Sequence, residues 1–229
     1  MKKTVKDEKR GIPYRDHLKI PLAVEGFPFM LIALVITVLV FRVTHSWILG
    51  GFFFAVFIFV VAFFRDPRRD IPADPDSIVS PADGRVIIVK KVFDDRFTNL
   101  ETMKISIFMN LFNVHVNRAP ASGRVQRVVY NPGKFFSANL DKASLENEQN
   151  AVIATGPDGQ VFVFNQIAGL VARRIVCRLK AGMDISKGKR FGLIRFGSRL
   201  DVYLPVDSRI TVKVGDKVSA GTSILGYWS

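Results

Sequence analysis

Two uncharged apolar runs near the start of the chain, residues 27–41 and 47–64, most constrain what it can fold into. Only Arg42-Val43-Thr44-His45-Ser46 separates them. As a helix with ~1.5 Å rise per residue, the second run would span about 27 Å, close to the ~30 Å hydrocarbon layer of a bilayer. The first is short unless it begins near Pro21 and leaves Glu25 at the interface. A helix apolar on every side, as the Phe-rich stretch 52–64 would be, does not suit a water-facing surface. Residues 21–64 are therefore expected to form a two-segment helical hairpin, transmembrane or re-entrant. No small-residue cleavage site follows the first run, so a removed signal peptide fits poorly.

Charge orients this hairpin. Residues 1–20 carry seven Lys or Arg, Arg65, Arg68 and Arg69 follow the second run, and the connecting turn holds only Arg42. The positive-inside bias predicts a basic cytoplasmic tail (1–20) and places residues 65–229 on the cytoplasmic face of the inner cell membrane. The formal net charge is +13. It points to an anionic partner, and lipid headgroups suit a membrane-tethered chain, at roughly 1 kcal/mol per juxtamembrane cation. No nucleic-acid recognition motif is present, so nucleic acid is not expected as a partner. The single cysteine, Cys177, excludes an internal disulfide framework. With three histidines (His17, His45, His115) and no HExxH spacing, no metal site is expected.

After residue 70 the chain changes to short β-like runs punctuated by Gly and Pro: 85–92, 104–109, 124–130, 151–154, 161–167, 175–179, 200–204 and 210–214. The polar stretch 137–149 is expected to be a loop or short helix. Two echoes occur: Pro81-Ala-Asp-Gly-Arg-Val86 returns as Pro120-Ala-Ser-Gly-Arg-Val125, and residues 181–188 return as 214–221. Their Gly-x-x-Val/Ile-x-x-Gly turns are typical of lipoyl-like sandwiched barrels. The fold class expected is mainly β, a barrel-sandwich-like soluble domain with minor helix, joined to the hairpin.

Three segments carry candidate chemistry: Pro81-Ala82-Asp83-Gly84, residues 108–120 around His115, and Phe196-Gly197-Ser198. In that order, with a hairpin before them, they resemble membrane-bound phosphatidylserine decarboxylases of the short bacterial type, over most of residues 65–226. The resemblance implies autocatalytic cleavage between Gly197 and Ser198. The Ser198 hydroxyl attacks the Gly197 carbonyl, the resulting ester eliminates, and the new chain start becomes a pyruvoyl group. The products would be a β chain (1–197) and an α chain (198–229) that stay together, with a homo-oligomer possible.

The resemblance also implies decarboxylation of phosphatidylserine to phosphatidylethanolamine through a Schiff base with that pyruvoyl group, without a metal or external cofactor. It casts His115 as a catalytic residue and Asp83 as the group that orients it. Glu146, Asn147 and Asn150 match a headgroup-contacting loop. Some relatives have a second histidine where this chain has Arg118, a further headgroup candidate. One histidine then serves both self-cleavage and decarboxylation, or shares the work with another group. The alternative is a membrane-anchored non-enzymatic carrier or adaptor with a lipoyl-like β domain. A carrier needs a lysine at a hairpin tip between small or Met residues, and Asp141-Lys142-Ala143 lies in the polar stretch instead.

Overall fold

A computed structural model describes residues 21–134, 146–169, 174–195 and 197–229. The basic tail, most of the polar stretch 137–149 and Phe196 lie outside the described residues.

Helix α1 (Phe27–Thr44) follows a short 3-10 turn, and α2 (Trp47–Phe63) follows it after a two-residue break. At the break His45 takes a left-handed conformation (φ 50°), and Ser46 caps α2 by accepting from the Leu49 N–H (3.4 Å). The helices run against each other: the Thr37 hydroxyl donates to the Phe53 carbonyl (3.1 Å), and the Phe41 ring fills the space beside Gly50. Residues 24–44 are long and apolar enough to cross a membrane, with a mean hydropathy of 2.4, while α2 is shorter at 17 residues. Leu31, Val35, Leu39, Phe52 and Ile58 are exposed, leaving a continuous apolar outer surface. At the foot of the pair, Ala23 N donates to Phe64 O and Asp66 N to Pro21 O, both at 2.7 Å.

The rest is β. In chain order the strands are β1 (Ser77–Val79), β2 (Gly84–Asp94), β3 (Leu100–Met109), β4 (Val116–Arg118), β5 (Gly123–Asn131), β6 (Gln149–Thr155) and β7 (Val161–Ala168). They continue with β8 (Ile175–Cys177), β9 (Asp184–Ile185), β10 (Arg190–Ile194), β11 (Ser198–Pro205), β12 (Arg209–Ile210), β13 (Lys217–Val218) and β14 (Ile224–Tyr227). An eight-stranded sheet has the order β13-β2-β3-β11-β7-β6-β5-β9, and two three-stranded sheets have the orders β4-β10-β8 and β1-β14-β12. One core joins all three: Ile105, Ile107, Phe162, Phe164, Leu200 and Val202 from the large sheet meet Phe191 and Ile194 from β10 and Leu225 from β14. The fold is mainly β with two helices, as expected. The run at 210–214 forms strand only at Arg209–Ile210 and the run at 175–179 stops at Cys177.

The sequence echoes become the two ends of the large sheet. Val218 faces Gly84 where β13 meets β2, and Ile185 faces Gly123 where β9 meets β5. Each inner strand has a register shift at the same place, Val86/Ile88 and Val125/Arg127. The bonds are reciprocal: Arg118 N donates to Pro81 O (2.9 Å) and Val79 N to Pro120 O (2.8 Å).

Strands β4, β10 and β8 lie between the large sheet and the helices. Leu193 and Val116 join Ala23, Met30, Phe63 and Phe64 in a second apolar cluster, so the helical foot rests on this small sheet. Gly192 is on the opposite face, where an added Cβ would come within 2.0 Å of the Val176 carbonyl, so no side chain fits.

Candidate active site

Ser198 opens β11, a strand inside the large sheet, and faces Met109 on β3 and Ala168 on β7. It is fully buried, and among the described residues its Oγ has no hydrogen-bond partner. Burying an unsatisfied hydroxyl costs about 1–3 kcal/mol, so such groups are rare and call for an explanation. Gly197 precedes it at φ +54°, a conformation that L side chains seldom adopt, and an added Cβ there would meet no atom within 4 Å. Backbone conformation rather than space therefore selects glycine.

His115 is 1% exposed. Its Nδ1 lies 2.9 Å from the Asn113 carbonyl, which can only accept, so Nδ1 carries the proton and Nε2 the lone pair. That Nε2 is buried and has no hydrogen-bond partner among the described residues. Phe63, at the foot of α2, lies against the imidazole with ring centroids 4.2 Å apart. Burial lowers the His115 pKa to about 4, outweighing the Asn113 bond that raises it, and the Arg65 charge pushes it lower. The imidazole is thus a neutral base across the physiological range.

Topology brings these two residues to one seam. Strand β3 pairs with β11 at Met109↔Ser198, and β4 pairs with β10 at Val116↔Leu193. The chain passes from β3 to β4 and later from β10 to β11, each time linking the large sheet and the small one between the same paired strands. His115 and Ser198 sit at the ends of these crossings, and Ile194 N donates to His115 O (3.4 Å).

Asp83 is not part of that pair. Both of its carboxylate oxygens bond Arg69 (2.9 and 2.8 Å), and Oδ1 also accepts from Ala220 N (2.7 Å). No hydrogen bond or ion pair joins it to His115, whose Nδ1 is held by Asn113 instead. In this arrangement the carboxylate is held by a guanidinium and a backbone amide, and its expected orienting role has no direct bond to His115.

Arg118 is likewise committed, to Asp66 (2.5 Å) and to the carbonyls of Pro67 and Gly188. It belongs to a clamp at the helical foot in which Arg190 bridges Asp66 and Glu25, and Arg178 also holds Glu25. Glu146 is exposed and pairs with Lys134. Asn147 and Asn150 are buried near Ser198: Asn147 Nδ2 donates to the carbonyl of Ala168, the ladder partner of Ser198. Asn150 Nδ2 reaches Gln166 Oε1 at 3.5 Å.

Sequence reasoning missed Asn117, Gln166 and Cys177, which complete a polar lining on the Ser198 face. Gln166 donates to Asn117 Oδ1 (2.9 Å), and Asn117 Nδ2 approaches the sulfur of Met109, directly across from Ser198 (3.8 Å). Burial raises the Cys177 thiol pKa, opposed by bonds involving Leu179 and Asn150. The available signal was polar residues inside otherwise apolar strands, as in Val163-Phe164-Asn165-Gln166-Ile167.

A model of the phosphatidylserine decarboxylase family matches residues 56–226. The chain belongs to that family. Proteins named phosphatidylserine decarboxylase proenzyme are similar to it along nearly their whole length. The one from Cupriavidus taiwanensis is 52% identical over 210 residues, and that from Cupriavidus pinatubonensis is 51% identical over 210. The one from Burkholderia lata is 50% identical over 209, and each alignment covers 89% of this chain and 94% of the relative. Among the described residues, the seam of this family member holds an unpartnered hydroxyl and an unpartnered neutral imidazole at the ends of adjacent crossings. Among the described residues no cluster of His, Cys, Asp and Glu could hold a metal ion.

Proposed function

We propose that the chain is a self-processing carboxy-lyase that converts phosphatidylserine to phosphatidylethanolamine. The observation that carries this reading is the buried, unpartnered Ser198 Oγ behind a positive-φ glycine, on the same seam as a buried, unpartnered His115 Nε2. Family membership and the proenzyme name of the relatives support it.

Self-cleavage needs a base for the Ser198 hydroxyl, and His115, held neutral by burial, suits that role. Oγ attacks the Gly197 carbonyl carbon, the amide nitrogen takes up a proton and leaves, and Gly197 becomes esterified to Oγ. Loss of the Ser198 Cα proton then expels Gly197 as a carboxylate and leaves a dehydroalanine chain start. Addition of water and loss of ammonia turn that start into a pyruvoyl group.

The surroundings fit such a group, because no neighbour uses the hydroxyl it replaces. The pyruvoyl supplies an electrophilic carbonyl that can take the substrate amine and accept the electron pair left by departing carbon dioxide. His115 can hold and return a proton at the reacting carbon. The Phe63 ring keeps water from the imidazole, and Asn117, Asn147 and Gln166 offer amide groups to the carboxylate and headgroup.

The helical pair is the membrane anchor in this reading, with residues 65–229 at the cytoplasmic surface. Three sheets around one core support the barrel-sandwich description, and the apolar outer face of α1 and α2 supports the hairpin. The deciding experiment is intact-mass measurement of protein purified from membranes. The expected result is a 32-residue piece, residues 198–229, carrying a pyruvoyl start. A single unbroken chain that still decarboxylates phosphatidylserine would overturn the proposal.

A further inference from the structure

Most cations around the seam already have acceptors. Arg118 and Arg190 share Asp66, Arg178 and Arg190 share Glu25, and Arg69 holds Asp83. Lys104 and Arg199 share Asp201, and Arg65 donates to the carbonyls of Ala62 and Phe112. Arg195 differs. It lies three residues before Ser198, and its guanidinium carbon sits 4.8 Å from the centroid of Phe29, in the first turn of α1. Among the described residues its buried Nε has no hydrogen-bond partner.

Directly across from it is Arg174. The β8–β10 ladder ends at Ile175↔Ile194, and one step further Arg195 N approaches the Arg174 carbonyl at 3.4 Å. Like charges facing each other across a ladder repel. Among the described residues neither arginine forms an ion pair. Glu25, whose field favours the Arg195 charge, is occupied by Arg178 and Arg190. Burial, reinforced by Arg174, lowers the Arg195 pKa. The site works against its own charge until an anion arrives.

We infer that Arg195 and Arg174 receive the phosphodiester of the substrate lipid. This rests on Ser198 being the reacting centre for phosphatidylserine. In that headgroup only the two serine carbons and an ester oxygen separate the reacting amine from phosphorus. The phosphate must therefore lie close to Ser198, with the acyl chains leaving toward the membrane. Arg195 meets both demands: it stands on the approach to Ser198, and its guanidinium rests on Phe29, itself stacked on Phe64 at the helical foot (centroids 5.6 Å apart). Paired guanidinium groups suit a phosphodiester, offering several N–H donors in fixed planes.

The test is decarboxylation kinetics of Arg195→Gln, Arg174→Gln and Arg195→Lys in uncharged detergent micelles containing phosphatidylserine, repeated with phosphatidylglycerol added. Each Gln variant should still self-cleave and should raise KM about tenfold or more, with most of the loss in KM and partial recovery in the Lys variant. The effect should be the same with and without phosphatidylglycerol. An unchanged KM beside an active wild type overturns the inference alone. So does a loss seen only with phosphatidylglycerol, which would assign the pair to neighbouring anionic lipid. A wild type inactive on phosphatidylserine would instead remove the reading beneath it. If Arg195→Gln fails to fold, the exposed Arg174 decides through its own variant.

Discussion

The two ends of the large sheet are near copies, and their differences separate architecture from chemistry. At one end Asp83 Oδ1 accepts from Ala220 N (2.7 Å); at the other, Ser122 Oγ accepts from Lys187 N (3.0 Å), the matching bond in the matching turn. The second half performs this job with a serine. The backbone bond of Asp83 is thus a turn brace common to both halves, and what its carboxylate adds is the hold on Arg69. The same comparison reaches Ser198. Thr155 faces Val161 across β6 and β7, so the position equivalent to Ser198 is Gln160, which follows the positive-φ Gly159 as Ser198 follows Gly197. Gln160 lies in an exposed hairpin and bonds Asp158 through its own amide. A glycine-led strand entry is therefore ordinary in this fold. Burial without a partner distinguishes Ser198.

The largest test of this contrast is Ser198→Ala. It should abolish cleavage and decarboxylation, seen as one uncut band on a denaturing gel. Stability should be unchanged or slightly higher in denaturant melts, because an unsatisfied buried hydroxyl is removed. A cleaved, active Ser198→Ala protein would break the comparison.

Next, His115→Ala should slow self-cleavage by about 10²–10⁴-fold in freshly synthesised chain followed over time. The pH profile sharpens this. The folded His115 pKa, about 4, lies below the ordinary 6.5, so the folded chain binds fewer protons than the unfolded one between those values. Stability is then full above about pH 6.5 and falls as pH drops toward 4, by ~3 kcal/mol at most. The base stays unprotonated across that window, so the acid limb of cleavage should lie near pH 4. A limb near 6.5 would mean that the imidazole is exposed to water during the reaction.

Smaller effects test the shared brace. Asp83→Ala loses an ion pair and a turn bond and should destabilise by about 2–4 kcal/mol, against about 1 kcal/mol for Ser122→Ala. Equal losses would show that Arg69 contributes nothing. Gln160→Ala, at the half-buried equivalent of Ser198, should stay within about 0.5 kcal/mol with self-cleavage unaffected.

Much of this was legible in the residues. The apolar runs at 27–41 and 47–64 end within a few residues of α1 and α2, and eight expected β runs each overlap a strand. The echoes marked the two sheet ends because a brace-and-turn unit repeats its glycines. Strand β4 was not legible, and β10 was legible only as a Gly/Lys-rich strand approach to Gly197. β4 has three residues, and β10 reads Arg-Phe-Gly-Leu-Ile, with a glycine whose reason is the Val176 carbonyl across the ladder. The partner of Asp83 escaped for a related reason. Arg69 and Ala220 stand 14 and 137 residues away, and a local motif carries no record of such distances.

Strand β11 lies between β3 and β7 in the large sheet, so a break just before its first residue would create a chain end without releasing the strand. The two fragments would remain threaded through each other's hydrogen bonds, and neither would own a complete sheet. Folding before the break is a one-body process. After it, an unfolded enzyme must find its missing strand by collision, which makes recovery from denaturation concentration-dependent and slow. Maturation of this kind works as a ratchet: the molecule assembles once, and chemistry then removes the return path.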